Sequence, residues 1–162
     1  PPKPAKARLV VTENRAGRQT LEVEKLSTLC LPAGDKKPPM ELPSTCYAAK
    51  PRRSVERSKM ASPAKGPKGV PVKLRDRYRI WATQMLEPEM VCTQARLGEG
   101  PAVRGDVAWV CFELKYPPAS WSQIFWPRRQ RVVTSFGPAT LDAWRPERVC
   151  MPSDLTDLGP AR

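Results

Sequence analysis

The 162-residue chain contains no histidine. Without an imidazole it has no histidine base, no histidine-activated nucleophile and no histidine metal ligand, which excludes most common hydrolytic enzymes and zinc sites. The chain also has no apolar run approaching the roughly 18 residues of a membrane-spanning helix. Aromatic residues make up only 7% of it. Any hydrophobic core must therefore be built from few large side chains.

The remaining side chains form no recognisable catalytic or cofactor site. Glu87, Glu89, Asp106 and Glu113 are scattered among prolines and turns. The glycines lie in basic or turn segments and lack the strand-to-helix setting of a phosphate-binding loop. No Cys-x-x-Cys pair offers the spacing of a closed zinc site. We therefore expect no enzymatic activity, no metal and no cofactor.

Positive charge and proline are abundant instead. Lys and Arg number 28 against 16 Asp and Glu, a net charge of +12, which suits an anionic lipid, polysaccharide, protein surface or nucleic acid. The 20 prolines argue against long helices, because an interior proline removes a backbone donor and clashes with the preceding turn. A basic loop over residues 50–69 is either simply solvated or a dedicated anion-binding arm. Its candidate anion-binding residues are Arg52, Arg53, Arg57, Lys59, Lys65 and Lys68.

One pattern occurs three times when residues are counted back from a cysteine. Such self-similarity is a strong indicator of architecture. Gly17 and Gly137 lie thirteen residues before Cys30 and Cys150, and Thr20-Leu21 and Thr140-Leu141 begin ten residues before the same two cysteines. Pro88 and Pro146 lie four residues before Cys92 and Cys150. The residues directly before the three cysteines are Leu29, Val91 and Val149. A second motif, Cys-aromatic-x-x-Lys, occurs at Cys46 and again at Cys111. The repeats predict units that begin with the Cys-aromatic-x-x-Lys motif and end with the pattern counted back from the closing cysteine.

The β-branched runs, turn residues and period-two alternation predict an all-β fold. We expect tandem small β-hairpin or β-sandwich-like repeat units, stapled by disulfides and joined by long irregular proline-rich loops. The predicted segments are 1–34 (the C-terminal half of an upstream unit), 35–45 (linker), 46–95 (a unit with the basic loop), 96–108 (linker), 109–153 (a unit with a Trp- and Pro-rich insert at 116–131) and 154–162 (tail). The Phe136-Gly137 turn and the Thr140-Leu141 strand are interpreted as scaffold.

The five cysteines follow the same scheme. If each unit is closed by its own ends, Cys46 pairs with Cys92 and Cys111 pairs with Cys150. Cys30 is then left to pair with a cysteine upstream of Pro1. The alternative is five free buried thiols in an intracellular protein.

These motifs resemble those of an uncharacterised family of secreted bacterial repeat domains. The similarity is best in Cys111-Phe112-Glu113-Leu114-Lys115, Phe136-Gly137, Thr140-Leu141 and Val149-Cys150-Met151-Pro152. The middle copy departs most, with Arg79 in place of the glycine and Gln94 in place of the closing proline. The resemblance implies a disulfide-bonded β module outside the cytoplasm, and it implies no activity.

The insert and the strand after it mix aromatic and arginine side chains, which often anchor protein interfaces. The predicted partner-binding residues are Trp121, Phe125, Trp126, Arg128, Arg129 and Arg131. The competing interpretation is that the aromatic residues only cover a small core.

The sequence thus predicts a non-catalytic structural or accessory protein in the periplasm, on the cell surface or secreted. It would dock onto a larger protein assembly, such as a membrane complex or filament, through Pro- and Trp-rich segments and basic loops. One alternative is a basic RNA-binding accessory protein of an organellar ribosome. Another is a carbohydrate- or cell-wall-binding module that uses Trp121 and Trp126.

Overall fold

The computed structural model describes residues 6–37, 42–52, 69–77, 79–96, 98, 105–117 and 127–161. These residues form nine β-strands and no helix, so the all-β prediction is confirmed. In this part of the chain, no helix is long and apolar enough to cross a membrane. The strands are β1 (Arg8–Asn14), β2 (Gly17–Cys30), β3 (Ser44–Pro51), β4 (Val70–Arg75), β5 (Ile80–Gln94), β6 (Val107–Lys115), β7 (Arg128–Thr134), β8 (Gly137–Ala143) and β9 (Arg148–Pro160).

Seven strands form one antiparallel sheet in the order β3-β2-β1-β9-β6-β5-β4. Strand β3 also pairs with β5, so every strand of the sheet except β4 belongs to a closed ring. Closure is possible because the 15-residue β5 pairs along one edge with β6 and along the other with β4 and then β3. These strands thus form one sheet that closes on itself, which removes most free edges.

The inner face of the ring holds the core. On β6, the buried side chains Ala108, Val110, Phe112 and Leu114 alternate with residues that include the half-exposed Trp109, as expected for a strand with one face inside. The core cluster is Val10, Leu21, Ala49, Met85, Val91, Ala108, Val110, Phe112 and Leu114. With only one large aromatic residue among its members, this core is small, as the composition predicts.

Strands from all three predicted repeat segments lie in this one sheet. Residues 154–160, which the sequence predicts as a tail, instead form the second half of β9 and pair with β1 from Glu13↔Asp154 to Arg8↔Pro160. The ion pair between Arg8 and Asp157 at 2.7 Å lies on this pairing. A long-range partner thus gives strand structure to a segment whose Asp, Gly and Pro content favours a loop.

Strands β7 and β8 form a separate two-stranded hairpin. Two backbone hydrogen bonds connect it to the segment that follows β2: the Gly34 amide donates to the Val133 carbonyl at 3.0 Å, and the Val133 amide donates to the Gly34 carbonyl at 2.8 Å. None of its residues from Arg128 to Ala143 is fully buried. The hairpin therefore lies outside the core of the ring.

Candidate interaction site

The five cysteines lie in one row across neighbouring strands. The structure contains the two predicted disulfides, Cys46–Cys92 and Cys111–Cys150, and in each the two residues stand directly opposite one another on adjacent antiparallel strands. The Sγ atoms of Cys92 and Cys111 are 3.8 Å apart, and those of Cys30 and Cys46 are 3.5 Å apart. Cys30 is free and exposed. The row therefore begins at a free thiol and continues through two disulfides.

The cysteines point away from the core. Cys111 lies between the core residues Val110 and Phe112 on β6, and successive side chains of a strand face opposite sides. Cys46, Cys92 and Cys111 form a small buried cluster of their own. This buried cluster, against which Met90 packs, lies on the face of the sheet opposite the core.

Three of the carboxylates that seem scattered in the sequence line one open groove. Glu87, Glu89 and Glu113 share a groove of about 380 Å³ with Lys50. Irregular pairing between Met85 and Pro88 displaces β5 here, which is a feature that sequence spacing does not reveal. Arg148 forms an ion pair with Glu89. Among the described residues, no group of three or more His, Cys, Asp or Glu side chains could hold a metal ion.

Most of the predicted anion-binding loop lies outside the described residues. This applies to Arg53, Arg57, Lys59, Lys65 and Lys68. Arg52 is exposed, and its backbone amide donates to the Thr20 carbonyl at 2.9 Å. The role of the loop in anion binding stays a prediction.

The predicted partner-binding residues divide in the same way. Trp121, Phe125 and Trp126 lie outside the described residues. Arg128, Arg129 and Arg131 lie on β7 and are exposed. The structure therefore places the arginine half of the predicted surface on the β7–β8 hairpin.

The hairpin ends in a two-residue loop that its sequence favours. The Thr134 hydroxyl oxygen accepts a hydrogen bond from the Phe136 amide at 3.1 Å, and Gly137 has φ 111°, a conformation that residues with a Cβ rarely adopt. The loop presents Phe136, whose side chain is 71% exposed. Phe136 is thus a candidate contact residue as well as part of the turn.

Two further apolar side chains on this hairpin are exposed. Leu141 on β8 is 55% exposed and Trp144, directly after β8, is 66% exposed. The sequence does not reveal this exposure, because the alternation of a strand does not say whether a second sheet covers it. We call the hairpin residues Arg128, Arg129, Arg131, Phe136, Leu141 and Trp144 the hairpin surface.

The hairpin surface is basic. Residues 128–143 contain three arginines and one aspartate, +3 and −1, for a net charge of +2. The aspartate, Asp142, pairs with Arg129 across the strands at 3.5 Å, but both side chains are more than half exposed, so this ion pair adds little stability. Arg131 faces Thr140 across the hairpin, not a carboxylate.

Tyr116 fixes the segment that follows the hairpin to the ring. Its hydroxyl donates to the Pro146 carbonyl at 2.6 Å, and its ring packs edge-on against Trp81 with the centroids 5.8 Å apart. Burial raises the pKa of Tyr116 above its usual value, with Arg145 opposing the shift. The hydroxyl therefore stays protonated and can donate at neutral pH. The guanidinium of Arg145 lies 4.8 Å from the centre of the same ring, so the residue after Trp144 is held in place.

No protein-family model, curated protein or solved structure matches the chain. The resemblance to secreted bacterial repeat domains therefore stays a prediction.

Proposed function

We propose that the protein is a non-catalytic accessory component, built from tandem disulfide-stapled β repeats, that works outside the cytoplasm and docks onto a larger protein assembly. The exposed apolar side chains of the β7–β8 hairpin are the observation that carries the docking role. A two-stranded hairpin on its own is at best marginally stable in water, and only the bridge to Gly34 attaches this one to another described segment by backbone pairing. This one leaves Phe136, Leu141 and Trp144 more than half exposed, so a covering partner would stabilise it.

The chemistry of the hairpin surface favours a protein partner. Aromatic and arginine side chains supply most of the strong contacts in protein interfaces. Here three arginines and Phe136 lie on one short hairpin, and Trp144 directly follows it. Its basic character favours an acidic surface on the assembly. Under this proposal, the Trp- and Pro-rich insert and the basic loop also take part in docking.

The location outside the cytoplasm is supported by the cysteines. The chain contains two disulfides, and such bonds are typical of oxidising compartments and rare in cytosolic proteins. Small β modules with a sparse core commonly depend on such bonds. The proposed compartment is the periplasm, the cell surface or the medium.

The proposal of tandem repeats is supported by equivalent local structures. Gly17 and Gly137 have φ values of 113° and 111° and follow two-residue hairpin loops of the same form. The Asn14 side chain accepts a bond from the Ala16 amide at 2.8 Å, as Thr134 does from Phe136. The two turns that match in sequence therefore also have the same local form, which supports the repeat proposal.

Affinity capture with matched variants tests the docking role. The wild-type protein, a Phe136→Ser/Trp144→Ser variant and a Leu158→Ser control are each used to capture proteins from the extracytoplasmic fraction of the source cells. Leu158 is 57% exposed on β9, so the control removes another apolar side chain that is more than half exposed. We expect one set of proteins to bind the wild type and the control but not the hairpin variant. Equal capture by all three contradicts the proposal.

The net charge of +12 favours RNA binding as the second candidate function. Phosphate contacts make RNA affinity fall steeply with salt. Nuclease treatment of the capture samples separates the two functions. Loss of all bound material after nuclease treatment, together with fully reduced cysteines, would support the ribosomal alternative.

A further inference from the structure

The second half of β2 has an open edge. On one side, β2 pairs with β3 through residues 21–30, and on the other it pairs with β1 only through residues 17–23. The edge over residues 24–30 therefore pairs with no strand in the described part of the chain. Every residue from Lys25 to Cys30 is exposed, including Leu26 and Leu29. Exposed strand edges of this kind are templates for pairing with another strand.

Strand β5 has an equivalent edge that is paired along most of its length. Its corresponding edge is shared by β4 and β3, which lie end to end. Strand β4 begins at Val70, opposite Met85, seven residues before Cys92. Strand β3 then brings Cys46 opposite Cys92.

Strand β2 repeats this register with one strand missing. Strand β1 begins at Arg8, opposite Val23, seven residues before Cys30. It therefore corresponds to β4, and the place that corresponds to β3 lies beside residues 24–30. Cys30 also keeps the relation to the next strand that Cys92 has: Cys30 stands opposite Ser44, two residues before Cys46, and Cys92 stands opposite Trp109, two residues before Cys111.

Burial of the equivalent residues differs as a missing strand predicts. Leu29 and Val91 each precede the closing cysteine, yet Leu29 is 46% exposed and Val91 is 1% exposed. Cys30 is exposed, whereas Cys92 is 5% exposed. The β2 edge thus has the same register as the paired edge of β5, but its residues are exposed because no described strand covers them.

We propose that this edge binds an antiparallel β-strand whose cysteine lies opposite Cys30 and forms a disulfide with it. The occupant is an extended segment of the form Cys-aromatic-x-x-Lys, as in β3 and β6, that is not among the 162 residues. In both disulfide-linked strand pairs the aromatic residue stands opposite the residue before the closing cysteine, Tyr47 opposite Val91 and Phe112 opposite Val149. The occupant's aromatic side chain would accordingly lie opposite Leu29 and cover it. This inference deepens the repeat architecture proposed above and rests on it.

The bond forms by thiol–disulfide exchange. The occupant's cysteine arrives as a mixed disulfide with a small thiol, and the Cys30 thiolate attacks the occupant's sulfur. The bond to the small thiol breaks as the new S–S bond forms, and the small thiol leaves as a thiolate that takes up a proton. Electrons balance without an added oxidant. Cys46 is the competing target, because its Sγ is 3.5 Å from that of Cys30.

A peptide that copies β3 tests the proposal on the 162-residue chain. The probe is the eight-residue sequence Ser44–Pro51 with its cysteine carried as a mixed disulfide with a chromophoric aryl thiol. The control peptide has the cysteine and the tyrosine interchanged, which turns the sulfur to the other face of a strand in the same register. The rate of thiol release is measured for the wild type and for Cys30→Ser, and peptide mapping identifies the bond.

We expect Cys30 to react at least about ten times faster with the copied peptide than with the control, because strand pairing raises the effective concentration of its sulfur. The amides of residues 25–29 that face the open edge should become protected from hydrogen exchange in the product, and Cys30→Ser should release no thiol. Equal rates for the two peptides, a product joining Cys30 to Cys46, or only a Cys30–Cys30 dimer would each overturn the proposal. These rates do not depend on Phe136 or Trp144, so the result is independent of the hairpin docking test.

Discussion

Alanine substitution of the two equivalent turn glycines should have unequal consequences for global stability. A Cβ built on Gly17 or Gly137 meets no atom within 4 Å, and both residues have positive φ. Each substitution therefore costs backbone strain alone, about 1–2 kcal/mol. The strands joined by Gly17 carry the core residues Val10 and Leu21, so Gly17→Ala should reduce the free energy of global unfolding by the full amount.

Gly137→Ala should leave global unfolding nearly unchanged. Its strain falls on the β7–β8 hairpin, which contributes no residue to the core cluster and can open locally while the ring stays folded. Urea unfolding measures the free energy of global unfolding. Hydrogen exchange of residues 128–143 measures the free energy of local opening of the hairpin. We expect a loss of about 1–2 kcal/mol for Gly17→Ala and less than about 0.5 kcal/mol for Gly137→Ala. If both variants lose equal global stability, the hairpin unfolds together with the ring and its description as a separate unit is wrong.

Two further substitutions test the bonds that hold the ring. Replacing Cys46 and Cys92 together by Ala removes a cross-link between residues 46 apart in the chain and should lower the free energy of unfolding in urea by about 4 kcal/mol; a loss below about 1 kcal/mol would contradict the loop-entropy argument. The Arg8 hydrogen bond, helped by the Gly159 amide, lowers the pKa of Asp157, so its stabilising effect is present above the unfolded-state pKa and is lost as the pH falls through the folded-state pKa. Asp157→Asn should therefore cost a few tenths of a kcal/mol at neutral pH, because the ion pair is about half exposed, and should cost nothing in strong acid. A difference from wild type that persists in acid would contradict this cause.

Local features of the fold could be predicted from the sequence because short-range chemistry determines them. Gly17 and Gly137 each follow turn residues between β-branched runs, and both turns form as the pattern indicates. The disulfide pairs followed from placing cysteines at the two ends of each repeat. Antiparallel strands bring such ends directly opposite one another, as Cys46 and Cys92 are.

Closure of the ring could not be predicted in this way, since it depends on contacts between distant segments. Strand β5 reads as the second strand of a local hairpin, yet its final residues pair with β3, and the proline at its centre, Pro88, is buried within irregular pairing. The pairing of β9 with β1 joins the two ends of the chain. Neither pairing leaves a periodic signal in either partner, because register between remote strands is set by the assembled core.

The exposure of the hairpin surface could not be predicted from the sequence either. Leu141 occupies the strand position that corresponds to Leu21, counted from the closing cysteine, but Leu21 is fully buried and Leu141 is 55% exposed. The two copies differ in the continuity of the strand. Strand β2 runs without interruption to the closing cysteine, whereas residues 144–147, around Pro146, form no strand and separate β8 from β9. This break frees the hairpin from the sheet that its counterpart helps to build. The same repeat pattern can thus supply core residues in one copy and a binding surface in another, and the break before the closing cysteine determines which.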